Sequence, residues 1–185
     1  MKQYLKQLKA ILLHKWYFLK AGRWLGLPWR LIVLHDISKF SPVEFVNYAR
    51  WFYGVKSKPG WASAWQHHAH NNKHHPEYWL LPWRGDPDFY NDMGKFVAPF
   101  VTVLPMPRVY VQEMIADWMA ASKIFTGSYD IAVWANEHGR TMLLHDDTVT
   151  WIHDIMEMNG RWMCTDNCAF SFIASEKFRE WDKAR

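Results

Sequence analysis

The sequence predicts a mainly α-helical single domain, and three observations carry that expectation. Apolar residues recur at three- and four-residue spacings in several segments of helix length. Proline, glycine and Ser-Pro punctuation falls at the ends of those segments. No run of alternating polar and apolar residues is long enough for a convincing sheet. With 185 residues, half of them hydrophobic, and thirteen Trp, the chain can bury a core rich in large rings.

The elements follow in order. Residues 2–21 set Leu5, Leu8, Leu12, Trp16 and Leu19 on one stripe, the expected apolar face of a first helix, punctuated by Gly22 and Gly26. Pro28 suits a first helical turn, so Trp29–Asp36 reads as a short apolar helix closing on a polar pair. Ser41-Pro42-Val43-Glu44 is a helix start: Ser41 caps, Pro42 fits the first turn and Glu44 closes a capping box. That helix should run to about Tyr53, with Gly54 as its stop.

Residues 55–60 read as a turn and Trp61–Asn71 as another helix. Pro76, Pro82, Gly85 and Pro87 make 76–105 irregular, in the manner of a lid or rim. Pro107 opens a helix through about Phe125, stopped by Thr126-Gly127-Ser128. Ser128–His138 and Asp146–Met158 are also expected to be helical. His145-Asp146 then belongs to a helix start and is not a second site. The expected domain is 1–159, with 160–185 as an extension packed on it. That extension is ambiguous in structure, with room for one short last helix. Its Trp162, Phe170 and Phe172 could pack on the core or form a subunit contact.

Composition narrows the function classes. The net charge of +4 suits an anionic substrate, and no Lys/Arg block stands out, which argues against a nucleic-acid partner. No apolar run reaches the roughly 18 residues of a membrane span, so no membrane partner is expected. The N-terminal segment is interrupted by Lys and His and lacks a small-residue cleavage site. It reads as an amphipathic helix of a cytoplasmic protein, not as a signal peptide. Cys164 and Cys168 read as two reduced thiols, since two cysteines do not complete a zinc site.

The ten histidines carry more information. His14 lies within the first helix and His35-Asp36 closes the second. His67, His68, His70, His74 and His75 crowd nine residues, and Asp117 sits among Met114, Ile115, Trp118 and Met119. Singly, His14 or Asp117 would read as an ordinary polar residue of an amphipathic helix. The cluster is harder to dismiss, because buried imidazoles are costly unpaired and repel one another once protonated. A metal ion removes both problems. In a continuous helix, residues 68, 72 and 75 would share one face and residues 67, 70 and 74 another.

The order His, HisAsp, His cluster, Asp resembles the ligand order of the HD superfamily of metal-dependent phosphohydrolases. The segments LHKWYFLKAG, LHDISKFSPVEFVNYARWFYG, AWQHHAHNNKHHPEYW and MPRVYVQEMIADWMAASKIFTGS are together similar to a bacterial and phage domain family of unknown function related to HD domains. The resemblance covers roughly residues 8–155. It implies an HD-type helical bundle with His14, His35, Asp36 and Asp117 around one ion. The family's W-x-x-H-x-x-x-N-x-H-H pattern falls on His68, Asn72, His74 and His75, and implies a second ion held by the histidines. Mn, Fe, Ni, Co, Zn or Mg would suit such N/O ligands.

The implied activity is hydrolysis of a small phosphomonoester or phosphodiester, a nucleotide among the candidates, with Asp36 and Lys39 catalytic. Lys39, Arg50, Asn72 and Lys123 are the expected contacts to a phosphate-bearing substrate. Two rival readings use the same residues: an HD-fold di-iron oxygenase, and a non-catalytic metal-containing binding protein.

Overall fold

Helix α1 (Lys2–Leu25) runs through Gly22 and ends only at Gly26, whose φ of 78° supplies the left-handed stop. Gly22 is a packing position instead. A Cβ there would lie 3.2 Å from side-chain atoms of both Ile32 and Leu27. In this computed structural model the face that α1 buries is Gln7, Ile11, His14, Phe18, Ala21, Gly22 and Leu25. Of the stripe expected in the core, Leu5, Leu8, Leu12 and Trp16 point outward, with Leu5 65% and Trp16 53% exposed, and Leu19 alone is partly buried against the core. Periodicity marks an apolar stripe on this helix and does not say whether α5 covers that stripe or the opposite side.

The structure describes residues 1–82, 101–132, 135, 142–157, 162–164, 172–174 and 176–184, and of 82, 162–164, 172–174 and 176–178 the backbone only. Helix α2 (Trp29–Leu34) stops before the His35-Asp36 pair that was expected to close it. Asp36 takes φ 55° and ψ 24°, the one left-handed non-glycine among the described residues, and starts a 3-10 turn over Ile37–Phe40. Asp tolerates this region better than most residues, and such strain gathers at functional sites.

Helix α3 (Pro42–Tyr53) begins on Ser41, whose hydroxyl accepts from the Glu44 amide at 3.3 Å. The other half of the expected capping box does not form. The Ser41 amide already donates to the Ser38 carbonyl at 2.8 Å, and the Glu44 carboxylate turns inward. Helix α4 (Lys58–Asn71) starts inside the expected turn, because Ser57 caps the Gly60 amide at 3.2 Å and Pro59 fits the first turn.

A 3-10 turn over Pro76–Trp79 leads into β1 (Leu80–Pro82), which pairs antiparallel with β2 (Val101–Val103). Most of the expected lid, 83–100, lies outside the described residues. Helix α5 (Arg108–Thr126) is the central element, buried along Val111, Glu113–Ala116 and Trp118–Ala120, and Gly127 at φ 81° ends it. It packs chiefly on α1.

Residues 128–131 are not helical, contrary to expectation, and of 132–138 only Ala132 and Ala135 are described. Helix α6 (Asp146–Glu157) packs on α5 through Ile152, Ile155 and Met156. His145 sits at its start, accepting the Asp147 amide at 3.1 Å. A second short antiparallel pair, β3 (Trp162–Cys164) with β4 (Phe172–Ala174), precedes the last helix α7 (Glu176–Lys183). Phe170 and Cys168 lie outside the described residues.

Trp181 of α7 stacks on Trp24 at 4.6 Å, and Asp182 accepts from Lys123, Ser128 and the Tyr129 amide, which ties the end of the extension to α1 and α5. The fold is mainly α. The core centres on Phe18, Leu25, Leu27, Ile32, Met114, Ile115, Met119, Tyr129 and Ile152. No described helix is long and apolar enough to cross a membrane.

Candidate metal centre

Three elements bring one group of side chains together. His14 comes from the buried face of α1, Asp117 from the middle of α5, and His35-Asp36 from the left-handed turn between α2 and the first 3-10 turn. Lys15 braces that turn, its ammonium donating to the carbonyls of His35 at 2.7 Å and Val33 at 3.2 Å. Phe18 lies flat on the His35 ring, 3.5 Å between centroids and 5° between planes.

The ligand-type atoms converge closely. His14 Nε2 lies 2.9 Å from Asp117 Oδ1, 3.3 Å from His35 Nε2 and 3.5 Å from Asp36 Oδ2. His35 Nε2 lies 3.3 Å from both Asp36 Oδ2 and Asp117 Oδ1. Bonds of about 2.1 Å at tetrahedral angles would separate ligand atoms by about 3.4 Å. The four atoms therefore have the spacing of a shell around one ion.

The other oxygen of Asp36 faces a second group. Asp36 Oδ1 lies 3.5 Å from His68 Nε2 and 3.6 Å from His74 Nε2, and His75 Nε2 lies 2.9 Å from His68 Nε2. Asp36, His68, His74 and His75 form a second candidate ligand set, sharing Asp36 with the first. Asp36 Oδ1 and His74 Nε2 are both buried, and neither has a hydrogen-bond partner among the described residues. Orphaned buried polar atoms are costly, and a cation between them satisfies both.

The second group is not built from one helical face. Helix α4 ends at Asn71, and Asn72 is extended, with its side-chain amide donating back to the His68 carbonyl at 2.8 Å. Pro76 disfavours a helical conformation at His75, which is extended with ψ 131°. His74 and His75 thus reach the site from a turn, beside His68 from the helix. His67 lies outside the set, its Nδ1 2.7 Å from Glu44 Oε1, and His70 is exposed.

Two glutamates hold the imidazoles from behind. Glu113 Oε1 accepts from His35 Nδ1 at 3.1 Å and faces His74 Nδ1 at 3.4 Å. Glu44 Oε2 accepts from His68 Nδ1 at 2.8 Å. A carboxylate only accepts, so the proton of each neutral ring sits on Nδ1 and its Nε2 lone pair points into the site. Glu44 was expected only to close a capping box, and Glu113 lies within the segment around Asp117 with no role expected of it. Glu113 lies four residues before Asp117, one helical turn away, and that spacing was the available signal. Glu44 gave a misleading one, since it also fits a capping box.

The charges confirm how tightly these groups are coupled. Burial alone would raise the Asp36 carboxyl, but His35, Lys39, His68 and His74 outweigh it and hold it well below the usual carboxylate range. Burial is likewise overcome at Asp117, by hydrogen bonds from His14 and His35. Burial would lower His35, yet Asp36, Asp117 and Glu113 carry it up to about 9. His14 is lowered by burial and by Lys39. Burial and the neighbouring His74 and His68 push His75 well down.

Lys39 forms an ion pair with Asp36 Oδ2 and reaches the cavity. Of the other expected substrate contacts, Asn72 is buried behind the site, where its amide donates to Ser38 Oγ at 2.7 Å. Arg50 is exposed and does not line the cavity, and Lys123 is taken up by Asp182 and the Tyr129 ring.

The site opens into a cavity of about 470 Å³. Its floor holds His14, Lys39, His68, His74, His75 and Asp117. Its walls are aromatic and aliphatic, with Tyr48, Phe52, Trp61, Trp65, Trp118 and Ile124. Lys39 is the one Lys or Arg among the described lining residues.

The chain belongs to a family of unknown function, DUF5662, whose model matches residues 3–158. The match spans α1 to the end of α6 and so takes in every residue of the two ligand sets. No curated protein and no solved structure matches the chain.

Proposed function

We propose that this protein is a metal-dependent phosphohydrolase with a dinuclear centre bridged by Asp36. The observation that carries the reading is the division of the Asp36 carboxylate, one oxygen facing each of two ligand sets. In this reading His14, His35, Asp36 and Asp117 hold one divalent ion, and Asp36, His68, His74 and His75 hold the other. The ligand order, which resembles that of HD phosphohydrolases, supports it further. Two divalent ions so held would generate hydroxide from water near neutral pH and offset charge on a phosphoryl group.

The chain's own residues supply the rest. Glu113 and Glu44 fix the His35, His74 and His68 rings with their Nε2 atoms inward, so little reorganisation remains when ligands bind. Lys39 places an ammonium beside Asp36 at the cavity floor, where it would pair with a substrate phosphate. The apolar walls exclude bulk water and suit a substrate whose alcohol portion is apolar or ring-bearing.

A second reading, the di-iron oxygenase, is favoured by the histidine-rich ligand set and by the scarcity of cations in the cavity. One experiment separates the two. Protein loaded with Mn, Fe, Ni, Co, Zn or Mg is screened against phosphomonoesters and phosphodiesters, and oxygen uptake is followed for the iron form. Hydrolysis that EDTA abolishes and Lys39→Met weakens, with metal content kept, supports the hydrolase; it is read as phosphate released from a monoester, or as alcohol and monoester released from a diester. Oxygen consumption by the ferrous form with no hydrolysis of either ester class would overturn it.

A further inference from the structure

The outward stripe of α1 has no part in the site. Leu5, Leu8, Leu12 and Trp16 fall within about 80° of one another around the helix, opposite the buried face that carries His14. Helix α2 extends the same surface. Arg23 lies over the Trp29 ring at 4.7 Å, and Lys15 reaches the Val33 carbonyl, which sets Trp29 and Val33 beside α1. Trp29 is 57% and Val33 61% exposed. A convex ridge of large apolar side chains is thus left facing solvent, which is unusual for the surface of a monomer.

The charge around this ridge is of one sign. Residues 1–35 contain Lys2, Lys6, Lys9, Lys15, Lys20, Arg23 and Arg30 and no Asp or Glu. The first acidic residue is Asp36, which is buried in the candidate metal centre. Lys20 lies over the Trp16 ring at 4.9 Å, so cations and rings share one surface. A second copy of the same face would bring like charges together, which disfavours self-association. A convex ridge of Leu and Trp edged by Lys and Arg is instead the pattern of a helix lying in the interface of an anionic membrane. There the apolar side chains enter the acyl boundary and the cations stay among the headgroups.

We infer that α1 and α2 form a membrane-surface docking face for anionic lipid, with Leu5, Leu8, Leu12, Trp16, Trp29 and Val33 as the inserting residues. The absence of a spanning helix among the described residues does not bear on this, since an interfacial helix need not cross. The inference is independent of the chemistry proposed for the metal centre.

The test is sedimentation of the full chain with vesicles of phosphatidylcholine alone, and with vesicles made of equal parts phosphatidylcholine and phosphatidylglycerol. The chain should bind the anionic vesicles and not the neutral ones, and lose binding as salt rises. Lys9→Gln with Lys6→Gln should weaken binding by about fivefold per cation removed. Leu12→Glu with Trp16→Glu should abolish it. All four positions are solvent-facing, so circular dichroism should show both variants folded. Absence of binding to anionic vesicles would overturn the inference. So would equal binding to both vesicle types, or a dimer in solution that Leu12→Glu converts to monomer.

Discussion

Glu113→Gln is the sharpest test of how the centre is built, because one carboxylate oxygen serves an imidazole from each ligand set. In the native protein Glu113 Oε1 lies 3.1 Å from His35 Nδ1 and 3.4 Å from His74 Nδ1, and the side chain is 7% exposed. Glutamine has the same shape, and its carbonyl oxygen in the place of Oε1 can still accept from both rings, but it carries no charge. The charge-assisted bonds that hold both Nδ1 protons weaken together, and burial keeps water from compensating. Each ring is then held less firmly, and its proton moves more readily to Nε2, which removes the lone pair that a metal needs. Loss of such a partner behind a metal-binding histidine weakens affinity by roughly 10–100-fold, about 1.4–2.7 kcal/mol. Titration of metal-free protein with Zn²⁺ against a chromophoric chelator measures this. The reasoning is refuted if Glu113→Gln binds within about twofold of wild type while Asp117→Ala, in the same assay, loses affinity.

Further outcomes follow from the same geometry. Asp117→Ala should lower the metal content from two ions to one, and His75→Ala should remove or weaken the other. Asp36→Asn tolerates the left-handed backbone and should cost both, as elemental analysis of the purified variants would read out. The metal-free protein should be most stable near pH 6.5. His35 is raised to about 9, so its contribution is full below the unfolded value of 6.5 and is lost as pH rises toward 9. His14 and His75 are lowered, so below pH 6.5 the unfolded chain takes up protons that the folded one refuses. Thermal melts across that range check this, and metal loading should reverse the alkaline fall. Phe18→Ala removes a fully buried ring that lies on His35 and should cost about 3–5 kcal/mol by urea unfolding.

Much of the architecture was legible in the sequence. The start of α3 at Ser41-Pro42, its stop at Gly54, the helix after Pro107 and the helix from Asp146 follow from caps and punctuation, which act locally. The shorter elements were not legible. The strand pairs Leu80–Pro82 with Val101–Val103 and Trp162–Cys164 with Phe172–Ala174 have three residues on each side, too few for a period-two pattern to show. The residue types of the site were legible too, since the sequence singled out His14, His35, Asp36, His68, His74, His75 and Asp117. His75 does not reach the site on the face of a continuous helix, because the chain is extended at Asn72 and again at His75 before Pro76.

What the sequence determined by itself is the inventory: mainly helical segments, a histidine-rich set of polar groups, and an apolar stripe on the first helix. Local propensity, capping and periodicity act over a few residues, and the chain displays them directly. Only the tertiary structure decided which face of α1 is buried, and therefore that His14 meets Asp117 across 103 residues of chain at 2.9 Å while Leu12 and Trp16 face out. Only it gave Glu44 and Glu113 their roles, because a buried carboxylate takes whichever donors the packing delivers to it. Here those donors are imidazoles from other elements, placed by the burial of Phe18, Ile32, Met114 and Ile115 in one core.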